Sequence, residues 1–255
     1  MIIDFHAHNG SFDVYGAGSR ADDMLRAMDM AGVDLCCVNN IFHGRASKAN
    51  DCTAAFVRAH PDRFLGLLFV TPHYPEEMEA EMARAVDELG LRGIKIYPPY
   101  FNRSVEDPAW EPIFAFAHAR RLPILSHTDG RDPMVQPNNG EPQMFVRWAQ
   151  KYPECNIVLA HAGNFPSGRQ SCVSAARQAP NIHIEICSSW RQFHSIEDLV
   201  EGAGEDRVLY GSDLPLMDPR IQMGRVLTAD IGEQARRKVL GENAARLLGT
   251  PGRSR

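Results

Sequence analysis

Four short segments put histidines and acids where a divalent cation could be held. DFHAH (4–8) carries His6 and His8, LSHTD (125–129) carries His127, LAHAG (159–163) carries His161, and GSDLP (211–215) carries Asp213. Residues two apart in an extended strand share a face, so His6 and His8 are expected to point the same way. Several neutral imidazoles and one carboxylate form a donor set suited to a borderline divalent ion, above all zinc. A lone histidine at a strand end is more often a hydrogen-bonded structural residue, but packing offers no reason for the whole set. The other histidines fit it less well: His60, His118 and His194 fall in or beside helices, His183 starts a strand, and His43 and His73 lie in loops.

These segments need elements that bring them to one place. Short apolar runs ending in polar or glycine-rich loops recur about every thirty residues, at 2–8, 33–39, 64–70, 93–97, 122–127, 156–161, 182–187 and 207–211. Helical periodicity fills the gaps between them. Pro75 opens one helix, with Met78, Met82, Val86 and Leu89 as its stripe and Gly90 after its end. Asp107 and Pro108 start another, which carries Ile113, Phe114 and Ala117, and a last helix is predicted from about Glu233 to Leu248. Near-continuous apolar strands separated by helices imply a parallel sheet buried on both faces. Eight such units without a break predict an α/β fold, a (β/α)8 TIM barrel, as one domain over residues 1–255. In that architecture the active site forms at the C-terminal ends of the strands, where His6, His8, His127, His161 and Asp213 fall.

The ordered set of segments resembles the amidohydrolase-related family of the metal-dependent amidohydrolase superfamily. The resemblance runs from DFHAH through LSHTD, LAHAG and GSDLP to the closing GENAARLLG at 241–249. It implies that His6, His8, His127 and Asp213 ligate one divalent ion, zinc or else manganese, and that His161 lies against the metal-bound water. In binuclear relatives His161 would bind a second ion, and Lys95, in GIKIYP, would bridge the two if carboxylated. A structural lysine or a substrate contact is the alternative for Lys95, and one ion is the expectation.

The expected activity is hydrolysis of an ester, lactone or amide bond in a small carboxylated metabolite. Asp213 would accept a proton from the activated water, and His161 would orient that water or stabilise the oxyanion. A non-oxidative decarboxylase of the same family is the nearest rival, a sugar-acid isomerase is open, and a catalytically silent barrel serving as a binding protein is a third reading. Arg131, Trp190, Arg191, Tyr97 and Lys95 are the candidate substrate contacts, with Arg45 and Arg103 as further partners for a carboxylate and Tyr100 and Phe165 for an aromatic wall. The stretch from Asp129 to Pro142 is the expected lid.

Bulk properties narrow the partners. A net charge of -5, with 44% hydrophobic and 23% charged residues, describes a globular chain without a basic field for nucleic acid. No apolar run reaches membrane-spanning length and the N-terminus lacks a signal-peptide pattern, so a cytoplasmic protein is expected. The expected partner is a small-molecule substrate, with no nucleic acid and no membrane, and a homodimer is open as the assembly. Six scattered cysteines without a CxxC predict free thiols.

Overall fold

The computed structural model describes residues 1–12, 17–41, 43–130, 138–188 and 192–250. Eight parallel barrel strands alternate with helices. They are β1 (Ile3–His8), β2 (Leu35–Asn39), β3 (Phe64–Gly66 and Leu68–Phe69), β4 (Ile94–Ile96), β5 (Ile124–Ser126), β6 (Ile157–Leu159), β7 (Ile182–Glu185) and β8 (Val208–Leu209). Each pairs in parallel with the next, from Ile3 beside Leu35 to Glu185 beside Leu209. At β3 the chain changes partner: Leu67 N donates to Val38 O at 2.9 Å, and Leu68 N donates to Gly93 O at 2.8 Å. The ring closes where Phe5 N donates to Tyr210 O at 3.0 Å, Asp213 N to His6 O at 2.8 Å and His8 N to Leu214 O at 2.7 Å. The chain is a (β/α)8 barrel, as the strand–helix rhythm predicts.

The helices that cover the barrel are α1 (Ala21–Ala31), α2 (Ala46–Ala59), α3 (Pro75–Asp87), α4 (Glu111–Arg120), α5 (Val146–Lys151), α6 (Pro166–Gln178), α7 (Ser195–Ala203), α8 (Pro219–Thr228), α9 (Glu233–Arg237) and α10 (Asn243–Leu248). Met78 and Met82 on α3 and Ile113, Phe114 and Ala117 on α4 join the large apolar layer between strands and helices. A second cluster fills the barrel, where Ile3, Phe5, Leu35, Leu67, Leu125, Val158 and Leu209 meet Ala244, Leu247 and Leu248 of α10. That plug leaves the opposite mouth for polar residues.

The predicted helix over Glu233 to Leu248 is present, but its period changes part-way. Five residues, Lys238–Glu242, form a π-helical turn between α9 and α10. Within it the Val239 carbonyl takes a hydrogen bond from Tyr210 N at 2.8 Å, and Gly241 lies against the Met1 carbonyl so closely that a Cβ would overlap it. Contact with the strand ends therefore overrides the plain helical period. Among the described residues no helix is long and apolar enough to cross a membrane.

Candidate metal centre

The first strand aims its histidines by means of an irregularity. Register shifts between Asp4, opposite Cys36, and Ala7, opposite Val38. Ile3 and Phe5 belong to the cluster inside the barrel, whereas Ala7 packs with the outer layer. A bulge adds one residue, so the alternation resumes on the opposite parity and His6 and His8 turn to the inner face. Asp4 points the other way and becomes a fastener. Its Oδ1 accepts from His6 N at 3.1 Å and Ser212 N at 2.9 Å, and its Oδ2 from Ser212 Oγ at 2.5 Å. The G-S-D turn after β8 is thereby tied to β1.

At the mouth, His6 Nε2, His8 Nε2 and Asp213 Oδ1 converge. Asp213 Oδ1 lies 2.9 Å from His8 Nε2 and 3.6 Å from His6 Nε2. This oxygen is buried, yet no described residue gives it a well-directed hydrogen bond. A buried carboxylate oxygen facing imidazole nitrogens without a donor is costly, and a divalent cation is the group that would satisfy all three. The donors present therefore fit such an ion. Burial works against the charge on Asp213, but the neighbouring His6 and His8 imidazoles outweigh it and hold the carboxyl well below its usual range.

Lys95, fully buried on β4, sets its Nζ 2.8 Å from His6 Nε2 and 4.7 Å from the Tyr97 ring centre. Burial pulls its ammonium down to about 8. His6 itself is pushed well below its ordinary range by burial first, then by Lys95. Tyr97 hydroxyl lies 3.5 Å from His8 Nδ1 and accepts from Asn39 Nδ2 at 3.2 Å. Its ring stacks with Tyr100 at 5.3 Å, and Tyr100 reaches the His127 ring at 4.6 Å, which builds an aromatic wall on one side of the mouth.

His127 and His161 form a separate pair. His161 Nε2 is 3.0 Å from His127 Nδ1, and His127 Nε2 is 3.2 Å from Asp129 Oδ2. Burial raises Asp129, but its hydrogen bonds with His127 and Asn164 dominate and bring it to about 2. His161 and Asp213 share a backbone feature: both are left-handed, with φ of 64° and 63°. Non-glycine residues there cost about 1–3 kcal/mol, a strain that clusters at functional sites.

Sequence reasoning did not single out Glu185 and Cys187. Glu185 Oε2 lies 2.9 Å from His6 Nδ1, and Cys187 Sγ is 3.2 Å from both His6 Nδ1 and His161 Nδ1. Together with His6 and His161 they form a second donor set that shares His6 with the first. Burial pushes Glu185 up to about 7 and Cys187 well above the ordinary thiol range. A visible signal existed: in HIEIC (183–187) an acid interrupts an apolar strand, and the thiol follows two residues later on the same face. Arg131, Trp190 and Arg191 lie outside the described residues, as does half of the expected lid, residues 131–137. Arg45 and Arg103 face other partners, Glu77 at 3.2 Å and Asp107 at 3.7 Å.

A family model described as Amidohydrolase matches residues 3–250. The chain belongs to the amidohydrolase family. It is similar to 2-amino-3-carboxymuconate-6-semialdehyde decarboxylase of Dictyostelium discoideum, 25% identical over 244 residues, covering 80% of this chain and 66% of that protein. The chain thus spans just under two thirds of that relative. It is also 24% identical over 258 residues to a gamma-resorcylate decarboxylase of Rhizobium radiobacter, covering 82% of this chain and 77% of the relative. Among solved structures, a 5-carboxyvanillate decarboxylase of Novosphingobium aromaticivorans with bound manganese superimposes with a TM-score of 0.75 at 18% identity, covering 98% of this chain and 97% of that one. That likeness shows the barrel fold. The relatives support the decarboxylase alternative better than hydrolysis, the activity expected first.

Proposed function

We propose that this protein is a metal-dependent, non-oxidative decarboxylase of a small carboxylated aromatic or dienoic acid. The observation that carries the reading is that two relatives matched over about four fifths of the chain are decarboxylases by name. The intact donors at the barrel mouth support it. In this reading His6, His8 and Asp213 hold one divalent ion, zinc or manganese, with His127 as the fourth ligand once its ring releases His161 or Asp129. A bound ion would supply fixed positive charge against a substrate carboxylate or a neighbouring oxygen.

The reaction breaks the bond between the substrate carbon skeleton and its carboxyl carbon. Carbon dioxide leaves, the electron pair stays on the skeleton carbon, and a proton drawn from solvent must arrive there. Asp213, kept ionised, can take up and hand over that proton, and His161 is the second group placed for the transfer. Lys95 contributes charge beneath the site, and Tyr97 with Tyr100 offers a flat face for an aromatic or dienoic skeleton.

The test uses the purified protein loaded with manganese or zinc, offered hydroxybenzoates and carboxymuconate-type acids in heavy water, beside esters, lactones and amides. Carbon dioxide release with deuterium at the vacated carbon is expected. Hydrolysis of the second group without carbon dioxide release would return the assignment to a hydrolase, and a protein that binds an acid unchanged would be the silent barrel.

A further inference from the structure

His6 has two ring nitrogens, and the fold gives them opposite surroundings. Nδ1 lies 2.9 Å from a carboxylate oxygen, Glu185 Oε2, while Nε2 lies 2.8 Å from the Lys95 ammonium. A lysine ammonium can only donate, so Nε2 must be the accepting nitrogen. The proton of a neutral His6 therefore belongs on Nδ1, and Nε2 keeps its lone pair. We propose that Glu185 is a positioning residue that fixes this tautomer and ring orientation, so that His6 presents Nε2 to the cup it shares with His8 and Asp213. The proposal rests on the metal reading above.

Two further observations support it. Glu185 is already saturated: Oε2 also accepts from Cys187 Sγ at 3.0 Å and from His161 N at 3.3 Å, and Oε1 accepts from Cys187 N at 2.5 Å. Asp213 Oδ1, the other carboxylate oxygen bordering His6, takes no such bond from the described residues. Of the two donor sets that share His6, the one containing Glu185 and Cys187 is thus the more fully occupied by hydrogen bonds, and the one containing Asp213 is the more open. The barrel also makes room for this carboxylate. A Cβ on Gly211 would lie 2.6 Å from Glu185 Cδ, so only glycine lets β8 pass the buried acid.

The test reads the ring directly. In metal-free protein labelled with 15N-histidine, two-bond proton–nitrogen correlations should show His6 protonated at Nδ1. Glu185→Gln brings an amide nitrogen into a nest of donors, and should move the His6 proton toward Nε2. It should also weaken manganese or zinc binding by about 10- to 100-fold, the usual effect of losing an outer carboxylate. Gly211→Ala, which keeps every donor but crowds the carboxylate, should act in the same direction, and Cys187→Ala should change neither readout. A wild-type His6 protonated at Nε2, or a Glu185→Gln variant with unchanged tautomer and affinity, would overturn the proposal. So would a Cys187→Ala variant that lost the ion as fully as His8→Ala, since the thiol would then be a ligand. If the wild type bound no ion but the tautomer still shifted, the metal reading would fail while the hold of Glu185 on the ring stood.

Discussion

Replacing Asp4 by alanine and by asparagine separates two roles that a buried acid could have. Asp4 is fully buried, and its oxygens serve His6 N, Ser212 N and Ser212 Oγ; the same hydroxyl accepts from Leu214 N at 3.1 Å. Alanine would leave the two backbone N–H groups without an acceptor, at about 1–3 kcal/mol each, so about 2–6 kcal/mol in all. Asparagine keeps a carbonyl oxygen for both N–H groups and disturbs only the Ser212 hydroxyl, which can rotate, for a loss of about 1 kcal/mol. Burial pushes the Asp4 carboxyl up to about 7, so a neutral amide suits this pocket. The effect should reach the site as well, because this fastener holds the turn in which Asp213 adopts its left-handed backbone. Urea unfolding and metal content, measured on the same samples, should show Asp4→Ala destabilised and poor in metal and Asp4→Asn near wild type in both. Equal, mild effects of the two substitutions would refute the fastening role.

Two other predictions test the scaffold. Burial, assisted by Arg246 and Arg207, lowers His183 from 6.5 to about 3. The unfolded chain therefore takes up this proton before the folded one does, and stability present above pH 6.5 is lost as pH falls toward 3, about 2 kcal/mol of it by pH 5. His183→Gln should flatten that loss in urea unfolding at pH 7.5 and 5, and parallel pH dependences would refute it. All six cysteines are free and Cys52 alone is exposed, so a thiol reagent should modify one site rapidly in the native protein and six after unfolding. Two or more fast native thiols would contradict this packing.

What could be read in the chain follows from the range over which each signal acts. Strand runs and helix stripes are local periodicities, so the barrel was legible, and a barrel converts strand-end residues into neighbours. That conversion is why His6, His8, His127, His161 and Asp213 could be grouped from residues far apart in sequence. The bulge in β1 was not legible, because pairing with β2 and closure against residues 210–214 decide it. The π-helical turn at Lys238–Glu242 escaped for the same reason: its Val239 carbonyl serves Tyr210, which no helical pattern encodes. Glu185 carried a local mark, an acid within an apolar strand, but its meaning appears only when β7 is set against His6.

The reaction was harder to read than the cup, and the physics of the site explains the difference. Donors on strand ends are held by the barrel itself, and they determine that positive charge can be concentrated at the mouth. The same charge serves an attacking water or a departing carboxyl group equally well, so the donors are neutral between hydrolysis and decarboxylation. Choice of bond depends on what orients the substrate above them, and that falls to the residues after the strands. Tyr97 and Tyr100, stacked beside His127, favour a flat skeleton lying against the wall over a flexible chain. In the proposed reading, a planar acid held there would bring its carboxyl carbon toward Asp213. On that argument Tyr100→Ala should raise KM for planar acids about 2- to 12-fold, the loss expected for one aromatic contact of about 0.5–1.5 kcal/mol, and leave metal content unchanged. An unaltered KM in steady-state kinetics would remove the wall from the account of specificity.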